Sequence, residues 1–445
     1  MQETQREEEA LEYLKAHNIT VYGSDVPLPS LSFDEMGIRE EIKKTIGMYE
    51  WVTPTPIQAV TIPIALKGLD IVGIAKTGSG KTGSFLIPAI NKIMNSNKIP
   101  KPYGPTVCVL SPTRELAQQT AVVCEQITKN IDVHHACLFG GASRDIQISQ
   151  LSESPDIIIS TPGRLIDMIE SGNCSFERIN YLVLDEADRM LDLGFEPQIR
   201  TIIGKIQVER QTLMFSATWP KEIQSLASEF LKDPIDVIVG SKHLSTNAAI
   251  KQIIENIEPH EKLTKCIQII NNNPGKKILL FTNTKRGADD LCSRLHTTGI
   301  ETFVIHGDKN QMQRDSSLLD FKESDCGILI ATDVAARGID ITDISIVINY
   351  DFPFNIEDYV HRIGRTARGN REGVAISLFT NDSNSLVDQL IKVLRSSSQE
   401  IPEWLLNSIS KTQSLRDRYS MGKNGSGYGG PRDEYNPFKY VPSTI

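Results

Sequence analysis

The stretch Asp70 to Thr82, DIVGIAKTGSGKT, constrains the fold more than any other part of the chain. It opens with a short apolar run, Ile71 to Ile74, that predicts a buried strand. It turns through Thr77, Gly78, Ser79 and Gly80 and ends in Lys81-Thr82, with Phe85, Leu86, Ile87 and Ile90 following at helical spacing. Strand, glycine turn and helix in that order make a phosphate-binding loop. Successive backbone N–H groups from Ala75 and Lys76 through Gly80 can point inward at phosphate oxygens, and the helix N-terminus adds positive partial charge. Lys81 is placed to reach the β- and γ-phosphates, and the Thr82 hydroxyl to sit on Mg²⁺. The first motif position is Ala75, where the generic pattern has glycine.

Around this loop the sequence alternates short apolar strands with helix-length segments. Candidate strands are Ile71–Ile74, Thr106–Leu110, Val133–Phe139, Asp156–Ile159, Tyr181–Leu184, Thr212–Phe215 and Asp236–Val239. Such a pattern implies a parallel sheet covered on both faces. GSKHLSTNAA, Gly240 to Ala249, is polar and aperiodic and reads as a linker. The alternation then restarts, with strands near Lys277–Phe281, Thr302–Ile305, Gly327–Ala331, Ile346–Asn349 and Ala375–Phe379. At 445 residues the chain is too long for one ordinary domain of about 150 residues. We expect an acidic leader over 1–32, with a helix near Glu7–His17, and a first α/β domain over 33–240 that begins with a helix from Phe33 to Tyr49. A linker over 241–250 and a second α/β domain over 251–400 follow. Residues 401–445 are expected to be a mostly disordered basic tail.

The net charge of −9 argues against binding a polyanion through general basicity, though not against a local basic groove. The seven cysteines are scattered without metal-ligand spacing, as in an intracellular protein with reduced thiols. No apolar run approaches the roughly 18 residues of a membrane span, so no membrane association is expected. The compartment expected is nucleus or cytoplasm, with a lean to the nucleus, and the expected state is a monomer.

Leu182-Val183-Leu184 runs straight into Asp185-Glu186-Ala187-Asp188. A hydrophobic strand ending in two acids is the usual partner of a phosphate loop. Asp185 would hold Mg²⁺, partly through water, and Glu186 would orient and deprotonate the attacking water.

With these four residues spelling DEAD, the chain resembles the DEAD-box ATP-dependent RNA helicases of helicase superfamily 2, from about Phe33 to about Leu405. The resemblance implies two tandem RecA-like domains, each a mostly parallel sheet with helices on both faces, closing on ATP and RNA together. Pro54-Thr55-Pro56-Ile57-Gln58 resembles the family's glutamine motif, in which the Gln58 amide matches adenine N6 and N7. Phe33 stands where the family stacks an aromatic on adenine, and Glu50 stands where it usually has glycine. Arg114 in PTREL, Gly141 after Gly140, and Thr161 and Arg164 in TPGR match motifs that the family places on RNA, as do Gly307 and Thr332. Ser216-Ala217-Thr218 matches the motif that links the ATP site to domain closure. Asp340 resembles the residue that contacts the ribose, and His361 one at the domain interface. Arg365 and Arg368, three apart and so on one side if helical, resemble the arginines that reach the γ-phosphate from the second domain. The usual glycine of that last motif is Ala367, a change expected to be harmless. The implied activity is ATP hydrolysis to ADP and phosphate coupled to local unwinding of short duplexes or remodelling of RNA–protein complexes, with little sequence preference. An ATP-gated RNA clamp with little unwinding uses the same residues and is the alternative.

Overall fold

The computed structural model describes residues 2–49, 51–76, 78–96, 104–240, 247, 249–336, 343–367 and 371–408. Most of the expected linker and nearly all of the expected tail lie outside them. The chain divides into two units, Met1–Glu400 and Ile401–Ile445. The first holds two sheets. In the second, residues 403–408 are helical.

The first sheet takes its strands from Ile19–Tyr22 (β1), Ile71–Ile74 (β2), Val107–Leu110 (β3), His135–Leu138 (β4), Ile157–Ser160 (β5), Tyr181–Leu184 (β6), Gln211–Ser216 (β7) and Ile235–Val239 (β8). Their spatial order is β1-β8-β2-β7-β6-β3-β5-β4. All pairings are parallel except β1 with β8. Alternate residues feed two separate cores, because side chains of a strand point to opposite faces. Ile71, Val107, Val109, Ile157, Val183, Leu213 and Phe215 pack on one side. Val72, Ile74, Cys108, Leu110, Ile158, Leu182, Leu184 and Met214 pack on the other. Strands buried on both faces have no polar side to show, which explains their unbroken apolar runs.

The second sheet is built from Ile250–Asn256 (β9), Ile278–Phe281 (β10), Phe303–Ile305 (β11), Ile328–Ala331 (β12), Ile346–Asn349 (β13) and Gly373–Phe379 (β14), in the order β11-β12-β10-β13-β14-β9 and wholly parallel. Its cores include one around Ile278, Leu280, Ile330 and Ile348 and another around Leu279, Phe281, Leu329 and Val347.

Three features differ from the sequence expectation. The leader is not outside the first sheet: a helix over Gln2–Ala16 precedes β1, which joins the sheet edge in register with β8, Ile19 opposite Val239. Alternation over four residues is too short to stand out from a polar leader. The helix expected from Phe33 to Tyr49 is broken into a 3₁₀ turn, Phe33–Met36, and a helix, Glu40–Gly47, with Gly37 in a left-handed conformation between them. Finally, β9 begins at Ile250, where the linker was expected to end. Its alternating burial marks one solvated face, and it stands at the edge of the sheet, where among the described residues it pairs with β14.

Candidate nucleotide and nucleic-acid site

In parallel α/β sheets, ligands gather at the carboxyl ends of the strands. Here the strand order sorts that edge into two halves. The loops after β2, β7 and β6 carry the phosphate loop, Ser216-Ala217-Thr218 and Asp185-Glu186. The loops after β3, β5 and β4 carry Arg114, Thr161 with Arg164, and Gly141.

In the phosphate loop, Gly80 has φ 94° and caps the helix Lys81–Asn95. A Cβ there would lie 2.6 Å from Thr55 Oγ1 and 2.9 Å from Gln58 Nε2, so neither conformation nor space admits a larger residue. Lys81 Nζ donates to the carbonyls of Ala75 (2.7 Å) and Lys76 (3.1 Å), folding back into the loop. Ser79 Oγ is buried without a hydrogen-bond partner, an unmet polar atom of the kind a phosphate oxygen satisfies. Gly78 is described within the turn, Thr82 is half-buried, and Thr77 lies outside the described residues. The buried Gln58 side chain donates from Nε2 to Gly80 O (3.0 Å) and accepts at Oε1 from Thr55 N (2.9 Å), tying its segment to the loop. Phe33 is buried within the core on this side of the sheet.

Asp185 follows β6, and its N–H donates to Leu110 O at 2.9 Å. Burial, then the neighbouring charge of Glu186, pushes its carboxyl up to about 7, against the pull of Lys81. A buried carboxyl short of positive charge suits a cation. Among the described residues no group of three His, Cys, Asp or Glu could hold a metal. Asp185 and the Thr82 hydroxyl therefore offer only part of a coordination shell. That fits Mg²⁺, which commonly takes one or two carboxylates and completes its shell with phosphates and water. Glu186 sits at φ 51°, ψ 55°, a left-handed conformation that a non-glycine residue adopts only under constraint.

Asp188, unassigned by sequence reasoning, is a hub. Its Oδ2 accepts from Thr218 Oγ1 (2.8 Å), Thr218 N (3.0 Å) and Ala217 N (3.2 Å), and its Oδ1 accepts from Arg189 N (3.0 Å). His361 Nε2, on the helix Ile356–Ile363 of the second α/β domain, stands 4.0 Å from the same Oδ2. Beside it, Arg189, with a side chain only 3% exposed, pairs with Asp358 of that helix at 2.7 Å. Two charges of opposite sign far apart in sequence carry no local signal, so this pair could not be read in advance.

On the other half of the edge, Arg114 opens the helix Arg114–Thr128 and lies over the Phe139 ring. A Cβ at Gly141 would be 4.0 Å from Arg114 Nη1, so those two come together. Arg114 Nη2 also meets both oxygens of Asp315, from the second α/β domain, at 3.3 Å. Arg164 is differently employed: Nη1 donates to Gln147 Oε1 (2.9 Å) and to Ala142 O (3.4 Å), and Gln147 in turn brackets Phe139. Its guanidinium supports the loop that carries Gly141. Thr161 N donates to Leu138 O (2.9 Å) at the start of the helix Pro162–Glu170.

In the second sheet, Gly307 follows β11, with Lys285 Cε 3.4 Å from where its Cβ would be, and the buried Thr332 follows β12. Both therefore stand at carboxyl ends of neighbouring strands. Arg362 is 1% exposed and grips Asp333 with two bonds (2.6 and 2.7 Å), while also donating to Asn283 Oδ1 and Asp351 O. It holds the second domain's own loops. The stretch carrying Arg365 is not helical, since the helix ends at Ile363 and Ala367 has φ 54°. Helical spacing therefore does not place Arg365 and Arg368 on one side. Arg368 and Asp340 lie outside the described residues.

Residues 55–226 match the DEAD/DEAH box helicase family, and 261–370 match the helicase conserved C-terminal domain. The chain belongs to the DEAD-box ATP-dependent RNA helicases, enzymes that bind nucleotide and RNA through two RecA-like α/β domains. It is 46% identical over 417 residues to the ATP-dependent RNA helicase DBP2 of Scheffersomyces stipitis, covering 93% of this chain and 79% of that one. To DEAD-box ATP-dependent RNA helicase 30 of Arabidopsis thaliana it is 43% identical, covering 95% and 70%. The structure of S. cerevisiae Dbp5 bound to RNA and ADP BeF3 superposes with a TM-score of 0.73 at 27% identity, covering 87% of this chain and 100% of that chain.

Proposed function

We propose that this helicase hydrolyses ATP on the β2-β7-β6 half of the first sheet edge while holding an RNA strand by its backbone on the β3-β5-β4 half. Closure of the second domain would couple the two. The observation that carries this reading is the strand order itself, which sets phosphate-binding and backbone-binding loops side by side on one edge. Gln58 reads adenine, with Phe33 and Asp340 on base and ribose. The loop from Ala75 to Thr82 cradles the phosphates, and Lys81 leaves its carbonyl partners for them. Asp185 and Thr82 would hold Mg²⁺, which would supply charge neutralisation when bound. Glu186 takes the proton of the attacking water. Arg365 and Arg368 stabilise charge on the transferring phosphoryl group. Arg114, Gly141, Thr161, Gly307 and Thr332 meet the sugar–phosphate backbone, with Arg164 beside them. We propose that the protein acts as a monomer and works inside the cell, with the nucleus favoured. Seven free cysteines support a reducing compartment.

The test is Glu186→Gln, which keeps the shape of the side chain but cannot accept the proton. Nucleotide-dependent RNA binding should persist or tighten, while RNA-stimulated ATP turnover and strand displacement fall at least a hundredfold. Turnover near wild type in a single-turnover assay would refute the role given to Glu186.

A further inference from the structure

The turn after the helix Ile356–Ile363 is held by more bonds than a surface turn needs. Thr366 Oγ1 donates to Ile344 O at 2.6 Å. Gly373 is so close that a Cβ on it would lie 2.8 Å from Ala367 N. Ala367 itself sits at φ 54°, a left-handed conformation disfavoured for any residue with a Cβ. Such a conformation persists where its surroundings over-determine it. One of the groups that does so comes from the segment joining the two sheets. Asn247 Nδ2 donates to Ala367 O at 3.0 Å. Its Oδ1 accepts from Ala249 N (3.2 Å) and its carbonyl from Ile250 N (2.9 Å), so the amide is fixed at the mouth of β9. Ala249 O then accepts from Gly373 N at 3.0 Å, which locks β9 beside β14.

We propose that Asn247 is a positioning residue for Arg365. Its side-chain amide ties the joining segment to the Ala367 carbonyl, and thereby fixes the turn from which Arg365 acts on the phosphoryl group. The proposal rests on the role given above to Arg365. Losses of positioning of this kind register in kcat more than in substrate binding, since small displacements of a catalytic group are costly to the reacting geometry.

The experiment uses the full chain at saturating RNA. Asn247→Ala should lower kcat for ATP about tenfold, with KM for ATP within twofold of wild type and an unchanged melting temperature. Asn247→Asp keeps the acceptor for Ala249 N and loses the donor to Ala367 O, so it should lose as much. Combined with Arg365→Ala, Asn247→Ala should add no further loss. A wild-type rate for Asn247→Asp, or multiplying losses in the double variant, would overturn the proposal. Arg365→Ala with wild-type kcat would instead overturn the role of Arg365, and the proposal with it.

Discussion

Asp358→Ala removes the partner of a guanidinium that is almost wholly buried. Arg189 Nη1 sits 2.7 Å from Asp358 Oδ1, and the side chains are 3% and 13% exposed. Breaking a buried pair from one side costs about 3–5 kcal/mol, because the remaining charge is left desolvated. Here Asp192, with Oδ2 at 3.7 Å from the same nitrogen, still offsets part of that charge. We therefore expect about 2 kcal/mol. Among the described residues, the clusters around the first sheet and those around the second share no residue. The loss should therefore fall on the joined arrangement of the domains and leave their folding intact. At about 1.4 kcal/mol per tenfold, this is about a thirtyfold shift. The assay is the RNA concentration giving half-maximal ATPase stimulation, read beside energy transfer between dyes on the two domains. Asp358 also accepts from Asn355 Nδ2, so Asn355→Ala is the control and should shift the midpoint less than threefold. A change below threefold for Asp358→Ala, or losses that simply multiply when Arg189→Ala is added, would refute the argument.

Gln58→Ala should weaken ATP binding far more than nucleotide-free RNA binding and erode the preference for ATP over GTP; competition between the two nucleotides measures this, and a full residual preference would place adenine recognition elsewhere. Arg114→Ala and Arg164→Ala should separate. Arg114→Ala should flatten the dependence of log K for single-stranded RNA on log salt by about 0.7. Arg164→Ala, whose guanidinium serves Gln147 and Ala142, should reduce affinity with a smaller change in slope.

Apart from β1 and β9, the strands were legible because they are largely apolar runs bounded by polar residues, and so was the loop chemistry, because it follows the strands directly. What escaped the sequence shares one physical cause: it depends on partners distant in the chain. Ile19–Tyr22 is a strand only because β8 offers an open edge. Asp188 is a hub only because β7 delivers Thr218 beside it. Arg164 looks like Arg114 in sequence, each following a strand and opening a helix, yet only the position of Gln147 makes it a brace. Ala367 in place of the usual glycine reads as harmless in the sequence, yet it sits at φ 54°, which glycine adopts more readily.

The strand ends bear on how fast one ligand senses the other. Past β5, β3, β6 and β2 the first loop residue still donates to the neighbouring strand: Thr161 N to Leu138 O, Ser111 N to Ser160 O, Asp185 N to Leu110 O, Ala75 N to Ser216 O. The ladder thus runs on into the loops, and Leu110 stands with Arg114's loop on one side and Asp185 on the other. A pull on that loop reaches the acid through the Asp185 N–H to Leu110 carbonyl contact. Such a connection transmits force by stiffness, as a taut wire does, with little displacement. Softening a rung of this ladder, at Leu110 for example, is expected to weaken the coupling between the two loops without changing where either ligand binds.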